Sequence, residues 1–136
     1  MRIIKILLSL LAVALIGLAL ITYIALEAGG VTTVTTVNRA DNSARQTHIW
    51  FVEWDGAIFL EAGHPQNPWV QDLQHASMLT LSGAGLDGKY EFTEHGPESH
   101  PTIRRKMRDK YGWRDAWINW LFDTSQSYMI QLRKFD

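Results

Sequence analysis

The most distinctive feature of the hydrophobic pattern is one long apolar stretch near the start of the chain. Residues 6–26 are apolar except for Ser9, Thr22 and Tyr23. A helix of this length, rising 1.5 Å per residue, spans roughly 30 Å, which matches the hydrocarbon core of a bilayer. The pattern predicts a membrane-spanning helix within residues 1–28, followed by a domain over residues 29–136.

A cleaved secretory signal is the alternative interpretation of this stretch. Such signals usually have a shorter apolar region and small residues before the cleavage site, whereas a cut after Ala28 would leave Leu26 where a small residue is needed. We therefore predict a retained single-pass anchor that contacts membrane lipid through residues 6–26. Because Arg2 and Lys5 precede the helix and an acidic residue follows it, the positive-inside bias favours a cytoplasmic N-terminus and an outside domain.

Most of the remaining chain has the pattern of β-strands. Val31–Val37 contains only valine and threonine, whose branched side chains favour extended backbone. Ala44–Trp54 is followed by Asp55-Gly56, a strong hairpin signal, so residues 57–61 are expected to return antiparallel. Further strands are predicted at Met78–Ser82, residues 89–94 and residues 127–132.

Two segments have helical periodicity instead. Trp69 and Leu73 form the apolar side of a short helix that is expected to end near Ala76. From Pro101 onward apolar residues recur every four positions, and beyond Gly112 a second apolar stripe begins. The residues of these two stripes are Ile103, Met107, Tyr111, Trp113, Trp117 and Trp120. Together the pattern predicts a mainly β fold with helical insertions (α+β): a closed or split β-barrel of about six antiparallel strands, preceded by one transmembrane helix.

Composition narrows the classes of function. A formal net charge of -1 does not provide the basic surface that recognition of a phosphate backbone requires, so nucleic acid is not a predicted partner. The absence of cysteine excludes disulfides, thiolate metal sites and a catalytic thiol. The five histidines do not have a recognised metal-binding spacing, and no metal site is predicted.

The order of segments between residues 31 and 82 is itself informative. A Val/Thr strand and a polar turn precede residues 44–52 (ARQTHIWFV), and an Asp-Gly hairpin and a short helix opened by Trp69 follow. This order resembles the split-barrel flavin-binding proteins of the pyridoxamine phosphate oxidase-like superfamily, including its deazaflavin-dependent nitroreductase-like branch. In that family an arginine and a threonine of the second strand lie near the cofactor phosphate, and a Trp-x-x-Asn/Asp-Leu helix packs over the cofactor site. The matching residues here are Arg45, Thr47, Trp69, Asp72 and Leu73.

The resemblance implies a bound cofactor, FMN or alternatively the deazaflavin F420, and an oxidoreductase that passes hydride or electrons to a small acceptor such as a quinone. Arg45 and Thr47 lie on one side of their strand, where a guanidinium and a hydroxyl suit a phosphate. His64 precedes Trp69 in a proline-containing loop, and both are expected to border the ring or the acceptor. The resemblance also implies a homodimer. No side chain is identified as a catalytic acid or base.

Two other functions stay open. A split barrel without cofactor would be a non-catalytic, membrane-tethered interaction module, and a barrel that binds haem through a histidine would be a carrier. At the level of residues, Arg45 could instead end a solvated turn. His48 is either a group near the cofactor or a hydrogen-bonded structural histidine.

The second half of the chain leaves alternatives as well. The stripe of Trp113, Trp117 and Trp120 has three interpretations: packing on the barrel, a position at the membrane interface with Arg114 toward the headgroups, or a cap on a ligand ring. The run Arg104-Arg105-Lys106 is interpreted as the solvated face of its helix.

Overall fold

Six antiparallel strands close into a barrel in the order β1-β2-β3-β6-β5-β4, and β4 pairs with β1 to complete the circle. The computed structural model describes residues 1–95 and 100–135. Its strands are β1 Val31–Val37, β2 Ala44–Trp54, β3 Ala57–Ala62, β4 Met78–Ser82, β5 Gly88–His95 and β6 Tyr128–Lys134. Its α-helices are α1 Arg2–Glu27, α2 Pro68–Leu73, α3 His100–Tyr111 and α4 Trp113–Leu121. The fold class expected from the sequence is confirmed.

The barrel has two hydrophobic cores, one inside it and one on its outer wall. The inner core includes Ile49 and Phe51 of β2, and α2 closes one end of it with Trp69 and Leu73. On the opposite face of β2, Trp50 packs with α3 on the outer wall. Because both faces of β2 are covered here, four consecutive residues of this strand are buried.

The helix α2 is shorter than the sequence predicts, because it ends at Leu73 rather than near Ala76. The backbone N–H of Gln74 donates to the Gln71 carbonyl, and that of Ala76 donates to the Leu73 carbonyl. These bonds reach back only three residues, so the last turn tightens and directs the chain into β4.

The last turns of α1 are attached to the barrel through α4 and β2. Arg114 donates from Nε to the carbonyl oxygen of Ala25 at 2.6 Å, and from Nη1 to those of Ala28 and Gly29 at 2.7 and 2.9 Å. Trp50 Nε1 donates to the carbonyl of Leu26 at 3.1 Å. These donors satisfy carbonyls that a helix C-terminus leaves without partners, and the guanidinium complements the helix dipole. One of the three interpretations of the tryptophan stripe placed Arg114 toward lipid headgroups, but its side chain is buried against α1.

The basic run on α3 is not a uniformly solvated face, which corrects a second expectation. Arg104 is only 8% exposed. Its Nη1 donates to both carboxylate oxygens of Glu61 on β3, at 2.8 and 2.7 Å, and its Nη2 donates to Asp115 Oδ1 on α4 at 2.6 Å. Arg105, by contrast, is exposed as expected. Arg104 is buried because α4 and β3 both cover its side of the helix.

The tryptophan stripe does not pack as barrel core. Trp113 and Trp120 are 57% and 72% exposed. Trp117 is half-buried against α1, where its Nε1 donates to Thr22 Oγ1 at 3.1 Å. The interpretation of this stripe as core is therefore wrong for its two outer members.

Candidate functional site

A groove of about 390 Å³ lies between the first half of β2 and the start of α2. This volume is within the usual range for small-molecule sites, about 300–1,000 Å³. The groove brings together three of the four site residues expected from the sequence: Arg45, Thr47 and Trp69. Its other lining residues are Gln46, His48, Ile49, Asn67 and Pro68.

Arg45 is held in place by a buried carboxylate. Its Nε donates to Asp72 Oδ2 at 2.8 Å, and the hydroxyl of Thr36 donates to the same oxygen at 2.8 Å. Asp72 reaches this position because it stands on α2, whereas Arg45 and Thr36 are directly paired across β2 and β1. Within residues 1–95 and 100–135, no hydrogen bond joins the terminal amino groups of Arg45 to another residue. The guanidinium is therefore oriented through Nε, and its two-nitrogen end is available to a ligand.

Trp69 supplies an unsatisfied hydrogen-bond donor beside this groove. Its side chain belongs to the inner core and is 3% exposed, yet its indole Nε1 has no hydrogen-bond partner among the described residues. A buried donor without a partner costs about 1–3 kcal/mol, so such a group calls for an explanation. An acceptor atom on a bound ligand would remove this penalty.

Asn67 is a lining residue that the sequence interpretation missed. It stands at the N-cap of α2, directly before Pro68 at the first helical position, but its side chain makes no capping hydrogen bond. The sequence did contain a signal for this position, because asparagine followed by proline is typical of the start of a helix. The side-chain amide of Asn67 can therefore serve a ligand in the groove.

The two histidines near the groove have different surroundings. His64 is exposed, lies outside the lining of the groove, and accepts the backbone N–H of Gln66 at 3.1 Å through Nδ1. His48 lines the groove, and its Nδ1 lies 2.6 Å from Glu27 Oε2 at the end of α1. His48 is thus a hydrogen-bonded histidine at the contact between the barrel and the helix.

A smaller cavity of about 150 Å³ adjoins the groove at His48 and Ile49. The buried ionic cluster of Glu61, Arg104 and Asp115 forms part of its wall. Asp115 Oδ2 has no hydrogen-bond partner in the described parts of the chain, and Arg108 Nε lies 3.8 Å from it. Across the same residues, no group of three or more histidine, aspartate or glutamate side chains is arranged to hold a metal ion.

Two adjacent residues with shifted pKa values lie on the outer wall and not in the groove. Burial lowers the pKa of Lys110 to about 8, and its Nζ donates to the carbonyl of Phe51 at 2.7 Å. Burial also raises the pKa of Tyr111 to about 12. Tyr111 stacks on Trp50, with ring centroids 4.2 Å apart, and its hydroxyl donates to the carbonyl of Gly30 at 2.6 Å. Lys110 therefore joins α3 to β2, and Tyr111 joins α3 to the segment between α1 and β1.

Comparison by sequence finds no matching family model and no matching curated protein. Comparison by structure finds similar solved proteins. HutZ, a haem storage protein from Vibrio cholerae, has a TM-score of 0.58 and 10% identity, with 79% of this chain and 82% of that one covered. A putative pyridoxamine 5'-phosphate oxidase from Listeria innocua has a TM-score of 0.52 and 12% identity, with 82% and 89% covered.

An F420 reductase has a TM-score of 0.51 and 12% identity, covering 82% of this chain and 91% of its own. Identities this low establish the fold and leave the ligand and the reaction undetermined. The proteins found in this way fit the superfamily that the order of segments indicates. The chain therefore has the split-barrel fold of the pyridoxamine phosphate oxidase-like proteins.

Proposed function

We propose that this chain is a membrane-anchored split-barrel oxidoreductase that binds FMN or a deazaflavin in the groove between β2 and α2. The observation that carries the proposal is the meeting of three groups in one space of about 390 Å³. These are the oriented guanidinium of Arg45, the hydroxyl of Thr47 and the indole side chain of Trp69. Solved proteins of the same fold include an F420 reductase and a putative pyridoxamine 5'-phosphate oxidase, which supports a flavin-type cofactor.

The residues present suit a ligand that ends in phosphate. Arg45 would bond phosphate oxygens through its two terminal amino groups, and Thr47 and Asn67 would add a hydroxyl and an amide donor. Asp72 fixes the guanidinium before the ligand arrives, so less side-chain freedom is lost on binding. Because Asp72 also balances the charge of Arg45, directed hydrogen bonds would contribute more to affinity than net charge.

The apolar part of the groove suits a ring system. Ile49 and Trp69 supply apolar walls. When bound, the cofactor itself supplies the redox chemistry, while the protein supplies binding, orientation and electrostatics. His64 would border the entrance for the acceptor from its exposed loop.

The uncovered apolar surface of α1 supports its role as a membrane anchor. The helix has a mean hydropathy of 2.7 over its most apolar 18 residues, and none of that window is buried within the molecule. Cleavage after Ala28 would remove Ala25 and Leu26, and with them acceptors of the buried donors Arg114 and Trp50. The contacts therefore favour a retained anchor over a cleaved signal. An anchored domain would meet a membrane-dissolved acceptor, such as a quinone, at raised effective concentration.

The second candidate is a non-catalytic, membrane-tethered interaction module. One observation favours it: Asp72 forms an ion pair with Arg45 and so compensates its charge within the chain. The two candidates differ in a directly measurable property, which is binding of a flavin.

The test is an absorption spectrum of the full-length protein in detergent, followed by titration with FMN and with a deazaflavin. We expect binding to the wild type and to the control Arg105→Ala, whose side chain is exposed on α3. Arg45→Ala should bind about 10–100-fold more weakly, the loss expected for charge-assisted hydrogen bonds. A colourless protein that binds neither cofactor would contradict the proposal and favour the interaction module. A Soret band would instead indicate a haem carrier.

A further inference from the structure

An exposed aromatic surface lies on α4 and just beyond it. Trp113, Trp120 and Phe122 are 57%, 72% and 57% exposed. Soluble surfaces rarely present several large aromatic side chains on one short element, and such a patch usually marks a contact with another apolar phase or a partner. The proposed cofactor groove does not use these residues.

The contacts between α4 and α1 set the position of this surface along the anchor. Arg114 hydrogen-bonds the carbonyl oxygen of Ala25, whereas Trp117, three residues later, bonds Thr22, three residues earlier. The two helices therefore run in opposite directions along each other. The ring of Trp120 lies 5.4 Å from that of Trp117 and continues the same path. The end of α4 is thus level with the apolar part of α1, not with its C-terminal end.

The length of α1 places its contact with the end of α4 near the edge of a bilayer. Its 26 residues span about 39 Å at 1.5 Å per residue, which exceeds a hydrocarbon core of about 30 Å. Thr22 lies four residues before Leu26, or about 6 Å along the helix axis. When residues 6–26 span the hydrocarbon, Trp117 therefore lies about 6 Å inside the end of that stretch, within the depth of about 5–10 Å to which interfacial helices bury their apolar side chains, and Trp120 lies beside it. Tryptophan is favoured at that depth.

We propose that α4 is a second membrane contact, whose C-terminal end inserts Trp120 and Phe122 into the interfacial layer of the bilayer that α1 spans. The first turn of α4 stays with the barrel, because Arg114 and Asp115 are buried there. Two contacts, one spanning and one interfacial, fix the orientation of the barrel relative to the membrane. This inference rests on the anchor of the proposed function and is independent of the cofactor.

The chemistry of the surface points to neutral lipid. Asp123, directly after Phe122, is exposed and makes no ion pair with another described residue. Its carboxylate would be repelled by anionic headgroups, so apolar burial and not charge attraction would drive the contact. We therefore expect insertion into vesicles of phosphatidylcholine alone, with little dependence on salt.

The test uses the full-length protein in phosphatidylcholine vesicles that carry bromine near the glycerol end of the acyl chains. Bromine quenches tryptophan fluorescence at short range. Comparison of the wild type with Trp120→Phe isolates the signal of Trp120, and Trp54→Phe is the matched control. Trp54 is partly exposed, lies about 13 Å along β2 from Trp50, and packs beside Phe59 and Lys106.

We expect Trp120→Phe to remove a large part of the lipid-quenched signal and Trp54→Phe to leave that part unchanged. Acrylamide, a quencher dissolved in water, should reach Trp120 poorly in vesicles. The proposal is overturned if Trp120 is quenched by acrylamide and not by lipid, or if neither reaches it because a second copy of the chain covers it. Alkaline carbonate extraction, done first, reports on the anchor separately, since release from the vesicles would contradict the anchor itself.

Discussion

Arg114 donates from its Nε to the carbonyl oxygen of Ala25 at 2.6 Å, and both residues are buried. They are separated by 89 positions in the sequence, so this contact joins α1 to the far end of the domain. A helix held in this way is part of the folded unit and not a flexible tether. The orientation of the barrel relative to the helix is consequently fixed by side chains that can be changed one at a time.

Replacing Arg114 with alanine should weaken the whole domain. The change removes the donors to three backbone carbonyls and leaves those groups unsatisfied at a helix end. We expect a loss of about 2–3 kcal/mol in the free energy of unfolding, measured by chemical denaturation in detergent. Arg114→Lys should lose less, because it keeps the charge and one donor group. An Arg114→Ala protein as stable as the Arg105→Ala control would contradict the role of this contact.

Removing the charge of Arg104 alone should reduce the stability of the fold more than neutralising all three members of the cluster, Glu61, Arg104 and Asp115. Arg104→Met leaves the carboxylates of Glu61 and Asp115 buried without their main partner, which costs about 3–5 kcal/mol. The triple variant that adds Glu61→Gln and Asp115→Asn removes the uncompensated charges as well. We expect it to recover much of the lost stability in the same denaturation assay. Equal stability of the single variant and the wild type would show that the cluster is not buried as described.

Lys110 gives a prediction of pH dependence. Burial lowers its pKa from 10.5 to about 8, so between these values the unfolded chain binds a proton more readily than the folded one. Stability rises with pH wherever the unfolded state binds more protons. The stability of the wild type relative to Lys110→Met should therefore increase from pH 8 to pH 10, measured by urea denaturation at each pH. A difference that stays constant over this range would contradict the shifted pKa.

Local patterns in the sequence predicted the strands and the buried face of α3 well. Val31–Val37, Ala44–Trp54 and Met78–Ser82 have the bounds that β-branched composition, side-chain alternation and the Asp-Gly hairpin signal indicate. The four-residue spacing of Ile103, Met107 and Tyr111 identified the buried face of α3. These features are local, because each follows from the backbone preferences and spacing of a few neighbouring residues.

The buried charges could not be predicted in this way. Arg104 and Arg114 are charged residues on helices, where the sequence alone suggests exposure to solvent. They are buried because Glu61 and Ala25, from distant parts of the chain, contact them. Likewise, Asp72 was expected only as part of a helix motif, and its bond to Arg45 depends on how α2 closes the barrel. Such contacts are set by the tertiary fold, which the spacing of residues along one element does not specify.

The role of Arg45 is tested most directly by comparing FMN with riboflavin, which has the same ring system and lacks the phosphate. Both are titrated into the full-length wild type, Arg45→Ala and Arg105→Ala, with quenching of flavin fluorescence as the signal. The account predicts that the wild type and Arg105→Ala bind FMN about 10–100-fold more tightly than riboflavin, and that Arg45→Ala loses this preference. Equal affinity of the wild type for the two flavins, or no binding of either, would contradict a phosphate-binding cofactor groove at Arg45.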